Sequence, residues 1–457
     1  YLKLADGPHT YLFESVEGGE TWGRYSIIGL PARRSFHFRG NAFEERELDV
    51  VTATETLADP LAKVDELRTR YRVPKLPELP DFSGGLVGYF GFETIAWTEP
   101  KLKDAGKPDV LEVPDALLLL SEEVAVFDNL KGRLYLIVHA DPAEPQAYAR
   151  AQRRLDELVY RLRHSGRSYP DVLHPSLVDE ADFVSGFSEP EFTAAVRKAQ
   201  EYIKAGDAFQ VVLSQRMSVP FKARPVDVYR ALRALNPSPY MYFLDFGGTQ
   251  VVGSSPEILV RAKQGRVTVR PIAGTRPRGA DAALDAALET ELLGDAKECA
   301  EHLMLIDLGR NDVGRVAEPN SVTVPQRFVI ERYSHVMHIV SEVQGRLKDG
   351  LGFADIFRAV FPAGTVSGAP KIRALEIIQE LEPHKRHIYS GAVGYINWWG
   401  DTDTAIAIRT AVIENGRLHV QAGAGIVYDS QPAMEWQETL NKGRALLRAV
   451  QQAALGL

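Results

Sequence analysis

Through the first 140 residues apolar and polar positions alternate in short runs such as RRSFHFRG and GRLYLIVHA, punctuated by glycine and proline. A period of two sends successive side chains to opposite faces, so this part predicts antiparallel sheet. The period then changes. AEPQAYARAQRRLDELVYRLRH carries apolar residues at helical spacing, and the polar stretch SGRSYPDVLHPSLVDEADFVSG after it predicts a linker. The chain is divided accordingly into an N-terminal α+β domain (1–165), a linker (166–187) and a second domain (188–457).

In the second domain Ser188 and Glu191 have capping-box spacing, Phe192, Val196, Ala199 and Ile203 form one apolar stripe, and Gly206 ends that helix. FQVVLSQRMSVPF, TQVVGSS, RVTVRPI, IYSGAVGYINW, DTAIAIRTAVIE and RLHVQAGAGIVY predict strands, with helices expected around 295–309, 367–381 and 435–452. Strand runs mixed with outlying helices define an α+β class.

Composition narrows the possibilities. A charged fraction of 25% and a net charge of −8 describe an ordinary soluble chain with no bulk attraction to nucleic acid. No apolar run is long enough to span a bilayer, and LPDFSGGLVGYFGF is interrupted by Asp, Ser and glycines. The start, YLKLADGPHTYLFE, lacks a signal-peptide layout, and because it begins at Tyr1 rather than Met, native residues are expected to precede it. Cys299 is the only cysteine, which excludes an intrachain disulfide and fits a reducing cytoplasm.

Two carboxylate pairs stand out, Glu298/Glu301 in DAKECAEHLMLIDLGRND and Glu435/Glu438 in MEWQETLNK. Spacing of three puts each pair on one helical face, and carboxylate oxygens suit Mg²⁺, which keeps several waters and takes few protein ligands. The plainer alternative is an N-terminal cap, Asp295 with Glu298, and solvated surface glutamates.

PIAGTRPRG, ERYSHVMHIVSEVQGRL, FPAGTVSGAPKIRALE, IYSGAVGYI, AIAIRTAV and QAGAGIVYDSQPAMEWQETLNK follow one another in an order that resembles the chorismate-binding enzymes, and among them the large subunits of anthranilate synthases. The resemblance is densest from Phe209 to Lys442. It implies two facing, largely antiparallel β-sheets with outer helices, a regulatory first domain and a catalytic second one. The implied reaction joins chorismate and ammonia through 2-amino-2-deoxyisochorismate to give anthranilate and pyruvate.

By the same resemblance Glu301 and Glu438 hold Mg²⁺, with Glu298 and Glu435 as support. Gly274 and Thr275 of an AGT turn and Gly423, Ala424 and Gly425 of a GAG turn present backbone N–H groups to the substrate; in isolation either would be a tight turn between strands. Tyr389 and Arg409 take the enolpyruvyl carboxylate, a structural ion pair being the rival explanation for an arginine in so apolar a strand. Lys442 is a secondary substrate contact or simply the i+4 ion-pair partner of Glu438. Glu257 in GSSPEIL protonates the departing C4 hydroxyl, which requires a raised pKa, and Thr365 is a short hydroxyl anchor. His338 serves the loss of pyruvate, with His335 a decoy nearby. Gln210 and Ala273 occupy positions where the water-using and the aminodeoxychorismate-forming relatives carry lysine, which favours anthranilate.

No glutaminase nucleophile is legible, because Cys299 lies inside the helical AKECAEH, and a separate glutamine amidotransferase subunit is therefore implied; the resemblance further implies a heterotetramer of two large and two small subunits. LFES, RYSIIG and NPSPYMYFL resemble the segments of a feedback pocket for L-tryptophan, with Glu14, Ser15, Pro239, Tyr240 and Met241 as its contacts; strand ends and a packed proline turn are the plainer account. The competing functions are an aminodeoxyisochorismate or aminodeoxychorismate synthase large subunit and, from another class, a catalytically silent tryptophan-sensing subunit. A nucleotide-binding protein is a weaker reading still, because GTVSGAPK lacks the GxxxxGK(S/T) spacing of a phosphate loop.

Overall fold

The computed structural model describes residues 1–5, 7–15, 23–103, 106–164, 178–333 and 336–456. Among them the strands form two antiparallel sheets of 11 and 12 strands. The first sheet runs from Val184–Ser185 through Gln210–Pro220, Arg417–Ile426, Thr410–Glu414, Thr249–Ser255, Tyr240–Asp245 and Thr10–Glu14 to Arg133–Val138. The second runs from Ile272–Pro277 through Val336–Arg346, Arg266–Val269, Ile258–Lys263, Thr402–Ile406, Ala392–Asn397 and Gly85–Phe90 to Val50–Thr56. Tyr11, Tyr242 and Val251 of one sheet and Val87, Tyr89 and Leu117 of the other share one buried cluster, so the inner faces bury each other.

Both sheets draw strands from either side of the expected linker. Thr10–Glu14 pairs with Tyr240–Asp245, and Gly85–Phe90 with Ala392–Asn397. The boundary drawn in the sequence is thus a division along the chain and not between sheets; residues 166–177 of that stretch lie outside the described residues.

The helix Glu189–Lys204 begins with the reciprocal Ser188–Glu191 cap and is followed by Gly206 at φ 86°. The expected helices around 295–309, 367–381 and 435–452 are Ala296–Val316, Lys371–Leu381 and Pro432–Leu455. Pro60–Thr69, in the part read as all sheet, is a helix capped by Asp59; its buried Leu61, Val64 and Leu67 repeat at three-residue spacing, a signal too short to stand out against the alternation around it. No helix among the described residues is long and apolar enough to cross a membrane.

One segment expected as a single strand is broken. DTAIAIRTAVIE divides into Thr402–Ile406 in the second sheet and Thr410–Glu414 in the first. TQVVGSS is the strand Thr249–Ser255 as expected, in the first sheet, and the chain after it passes to Ile258–Lys263 in the second. The chain crosses between sheets at both points, and the crossings are neighbours: Ser254 N–H donates to Arg409 O at 3.1 Å and Ile406 N–H to Glu257 O at 3.0 Å.

Candidate active site

Those adjacent crossings carry Glu257 and Arg409. Glu257 is 7% exposed, and burial pushes its carboxyl up to about 8 against the opposing influence of the Thr365 hydroxyl and the charges of Arg409 and Lys442. Thr365 Oγ1 is buried without a well-aligned partner, so its closeness to Glu257 is a contact rather than a formed hydrogen bond. Arg409 takes φ 50°, a left-handed backbone unusual for a side chain of this size. Its guanidinium makes no hydrogen bond or ion pair to another described residue, and desolvation pulls its pKa down despite Tyr333 and Glu257. The structural ion pair that would account for this arginine is therefore missing among the described residues, although the residue as a whole is only half-buried.

His338 pairs across the second sheet with Thr275. Its Nδ1 lies 2.9 Å from Gly274 O and 3.1 Å from Thr275 Oγ1. A carbonyl only accepts, so Nδ1 carries the hydrogen and Nε2 keeps a lone pair. Burial lowers the imidazole pKa to about 4, with Arg409 adding to the effect, so the ring is neutral at physiological pH. The ring of Tyr333 stands edge-on to it at 5.6 Å. His335 lies outside the described residues.

Neither glycine motif is a turn. Ala273, Gly274 and Thr275 belong to the strand Ile272–Pro277, whose register shifts at this point, with Gly274 at φ 66°. Gly423, Ala424 and Gly425 lie inside the strand Arg417–Ile426, opposite Ser214, Leu213 and Val212. Ser214 N–H donates instead to Glu382 Oε1 at 2.7 Å and Val212 N–H to Ser367 O at 2.9 Å. Both therefore point away from the glycine strand, which makes Ser214–Gly423 and Val212–Gly425 non-hydrogen-bonded pairs. The backbone groups of Gly423 and Gly425 consequently face the other edge, where the neighbouring strand has already ended at its Ala411–Val420 pair. Lys442 Nζ meets Gly423 O there at 3.0 Å. The absent side chains matter as well: a Cβ on Gly423 would come within 2.8 Å of Tyr389 Oη and one on Gly425 within 2.6 Å of Gln210 Nε2.

The acidic pairs flank the same edge. Gln210 Nε2 donates to Glu301 Oε1 at 3.1 Å, while Glu298 Oε2 lies 3.2 Å from where a Gly274 Cβ would sit. The Glu298 carboxyl is raised by burial and by Glu301, opposed by Arg276. That of Glu435 is raised by burial, offset by a hydrogen bond from Ser430, with Glu438 raising it further and Lys442 and Lys297 opposing. Lys442 does pair with Glu438, at 2.6 Å, in addition to holding the glycine strand. Among the described residues no three acidic, imidazole or thiol groups form a cage of their own. Pairs of like charge, with Glu298, Glu301 and Glu435 half-buried and Glu438 exposed, nevertheless suit a hard cation that takes one or two carboxylates and completes its shell with water and substrate.

A separate cavity of about 290 Å³ collects all five residues expected of the feedback pocket, Glu14, Ser15, Pro239, Tyr240 and Met241. Strand pairing explains the meeting, since Glu14 lies opposite Met241. Phe13, Tyr25, Phe82 and Tyr395 add aromatic walls. Glu14 is already engaged, by Arg233 Nε at 2.9 Å and by the Tyr229 hydroxyl.

Two sheets facing each other, with an acid and a guanidinium at their crossings and an imidazole within the second sheet, define an α+β enzyme of the kind that binds a polar anionic ring. Residues 15–448 match the family model of the chorismate binding enzymes, and the chain belongs to that family. It is 58% identical over 452 residues to anthranilate synthase component 1 of Pseudomonas aeruginosa, covering 98% of this chain and 92% of that one. With the same component of Neisseria meningitidis it shares 54% over 464 residues, covering 100% and 93%. The solved structure of anthranilate synthase component I from Streptococcus pneumoniae superposes with a TM-score of 0.83 at 40% identity, covering 95% and 94%.

Proposed function

We propose that the chain is the chorismate-converting subunit of an anthranilate synthase, taking chorismate and ammonia to anthranilate and pyruvate in the first committed step of tryptophan biosynthesis. Relatives of that name along nearly the whole chain favour this over the aminodeoxyisochorismate, aminodeoxychorismate and silent-sensor alternatives. The observation that carries the reading is a buried Glu257, its carboxyl pushed up to about 8, near an arginine with no ion-pair partner among the described residues.

Chorismate is a dianion. Arg409, with Tyr389, takes its enolpyruvyl carboxylate, and the guanidinium then gains the partner it lacks. The free-edge N–H groups of Gly423 and Gly425 and the segment at Gly274 and Thr275 face the rest of the molecule. Glu301 and Glu438, supported by Glu298 and Glu435, would hold Mg²⁺; when bound, the cation offsets the repulsion between these acids and the ring carboxylate. Glu257 gives its proton to the C4 hydroxyl as that group leaves and ammonia adds at C2. His338 Nε2 then accepts the proton the ring loses as pyruvate departs and the ring becomes aromatic. Ammonia comes from a partner amidotransferase: Cys299 lies within the helix Ala296–Val316, its Sγ 3.3 Å from Leu293 O, and not on the glycine elbow a glutaminase nucleophile uses. L-tryptophan occupies the cavity at Glu14 and Met241 and inhibits.

Chorismate, Mg²⁺ and ammonium, followed by anthranilate fluorescence, test the proposal. The chain alone should turn over with ammonia and not with glutamine. Glutamine-dependent turnover without a second protein would refute the partner, accumulation of the amino intermediate would favour the shorter reaction, and no turnover would favour the silent sensor.

A further inference from the structure

LEPHKRHIY, which follows the helix Lys371–Leu381, gives no functional signal in the sequence, yet it places Glu382 and Arg386 behind the site. Their side chains are 3% and 1% exposed and form a two-point ion pair, Nη2 to Oε1 at 2.6 Å and Nε to Oε2 at 2.8 Å. A buried pair of this kind is weak evidence for stability, because desolvation offsets much of the attraction. Its other contacts are more telling. Arg386 Nη2 donates to Val212 O at 2.7 Å, and Nη1 donates to Val366 O at 2.7 Å and Ser390 Oγ at 3.3 Å. Glu382 Oε1 accepts from Ser214 N at 2.7 Å and Ser214 Oγ at 2.9 Å. All five guanidinium N–H groups are thereby used.

These bonds end on three separate walls: the strand Gln210–Pro220, the turn Gly364–Val366 that contains Thr365, and the loop of Tyr389, whose ring centre lies 5.7 Å from the guanidinium. On the first wall the pair takes up the outward groups of Val212 and Ser214, the residues opposite Gly425 and Gly423. Satisfying that outer edge fixes the alternation that turns both glycines' N–H groups into the cleft. We infer that Arg386 and Glu382 are a positioning pair, setting Tyr389, Thr365 and the glycine edge in register for the substrate without touching it. This rests on the reading of those three as chorismate-facing groups.

Arg386→Lys tests the inference, since one ammonium keeps the charge but cannot span Glu382, Val212 and Val366 together. KM for chorismate should rise at least tenfold while kcat falls less than threefold, in a protein whose thermal midpoint stays near that of the parent. In Arg386→Ala, added guanidinium should lower KM at least threefold, and equal sodium chloride should not. A parent-like KM in folded Arg386→Lys, or indifference of Arg386→Ala to guanidinium, overturns the inference. If neither arginine variant folds, Glu382→Gln decides: it keeps an acceptor for Ser214 but loses the charge, and a KM raised less than threefold, or no folded protein, overturns it. The parent enzyme is the control, since its failure to form anthranilate would sink the functional reading instead.

Discussion

Glu257 and His338 are both buried, and burial acts on them in opposite chemical senses: it keeps a proton on the carboxyl and keeps one off the imidazole. In the proposed mechanism this lets one serve as acid and the other as base at the same pH. At saturating free ammonia, kcat should fall as pH rises through about 8, where Glu257 ionises; a flat profile across that range would remove it as the proton donor. The same shift weakens the fold. The unfolded carboxyl ionises near 4.5 and the folded one near 8, so the folded state binds the extra proton between those values and stability drains away as pH climbs through them. Glu257→Gln should therefore abolish amination yet raise stability at pH 7 by roughly 2–3 kcal/mol, read from denaturant melts. His338→Ala should slow pyruvate loss more than amination, so that the amino intermediate builds up on chromatography. Equal slowing of both steps would exclude it from the second.

At the level of strands and helices, the capping box of Glu189–Lys204, the helical acidic pairs and most strands could be read from local spacing, because each signal lies within one turn or one pleat. What spacing could not give was the sheet to which each half of an apolar run belongs. AIAIRTAV reads as one strand, and only the pairing of Thr402–Ile406 and Thr410–Glu414 with different neighbours reveals the break at Arg409. For the same reason GAG read as a turn: glycines suggest bends, but here they thin an edge so that Gln210 and Tyr389 can close over it. Arg386 was invisible because its partners lie as far as 174 residues away in sequence. Gly425→Ala should push Gln210 off Glu301 and weaken chorismate binding about tenfold, with little loss of stability since a flexible amide can move aside. Glu301→Gln and Glu438→Gln should each shift the Mg²⁺ dependence of activity to higher concentration. Parent-like titrations would leave these acids as surface helix residues.

For the molecule as a whole, the cavity proposed for tryptophan and the proposed active site share two strands. Arg261 and Asp403, paired within the cavity through Nε at 2.8 Å, lie on the strands that lead from Glu257 and towards Arg409. Tryptophan bound there would bias both crossings together, and linkage requires chorismate to weaken tryptophan binding by the same factor. Ser15→Leu should relieve inhibition and leave uninhibited turnover unchanged; full sensitivity in that variant would place the inhibitor elsewhere. Sharing strands across the 166–187 stretch also governs what happens when the chain is cut. A fragment of residues 178–457 would expose the long edges of Tyr240–Asp245 and Ala392–Asn397, bare ladders that invite aggregation. Residues 1–165 expressed beside it would supply the missing strands. The two pieces should be insoluble apart and active together, so that a nick in this stretch yields a reconstituting pair rather than two independent proteins.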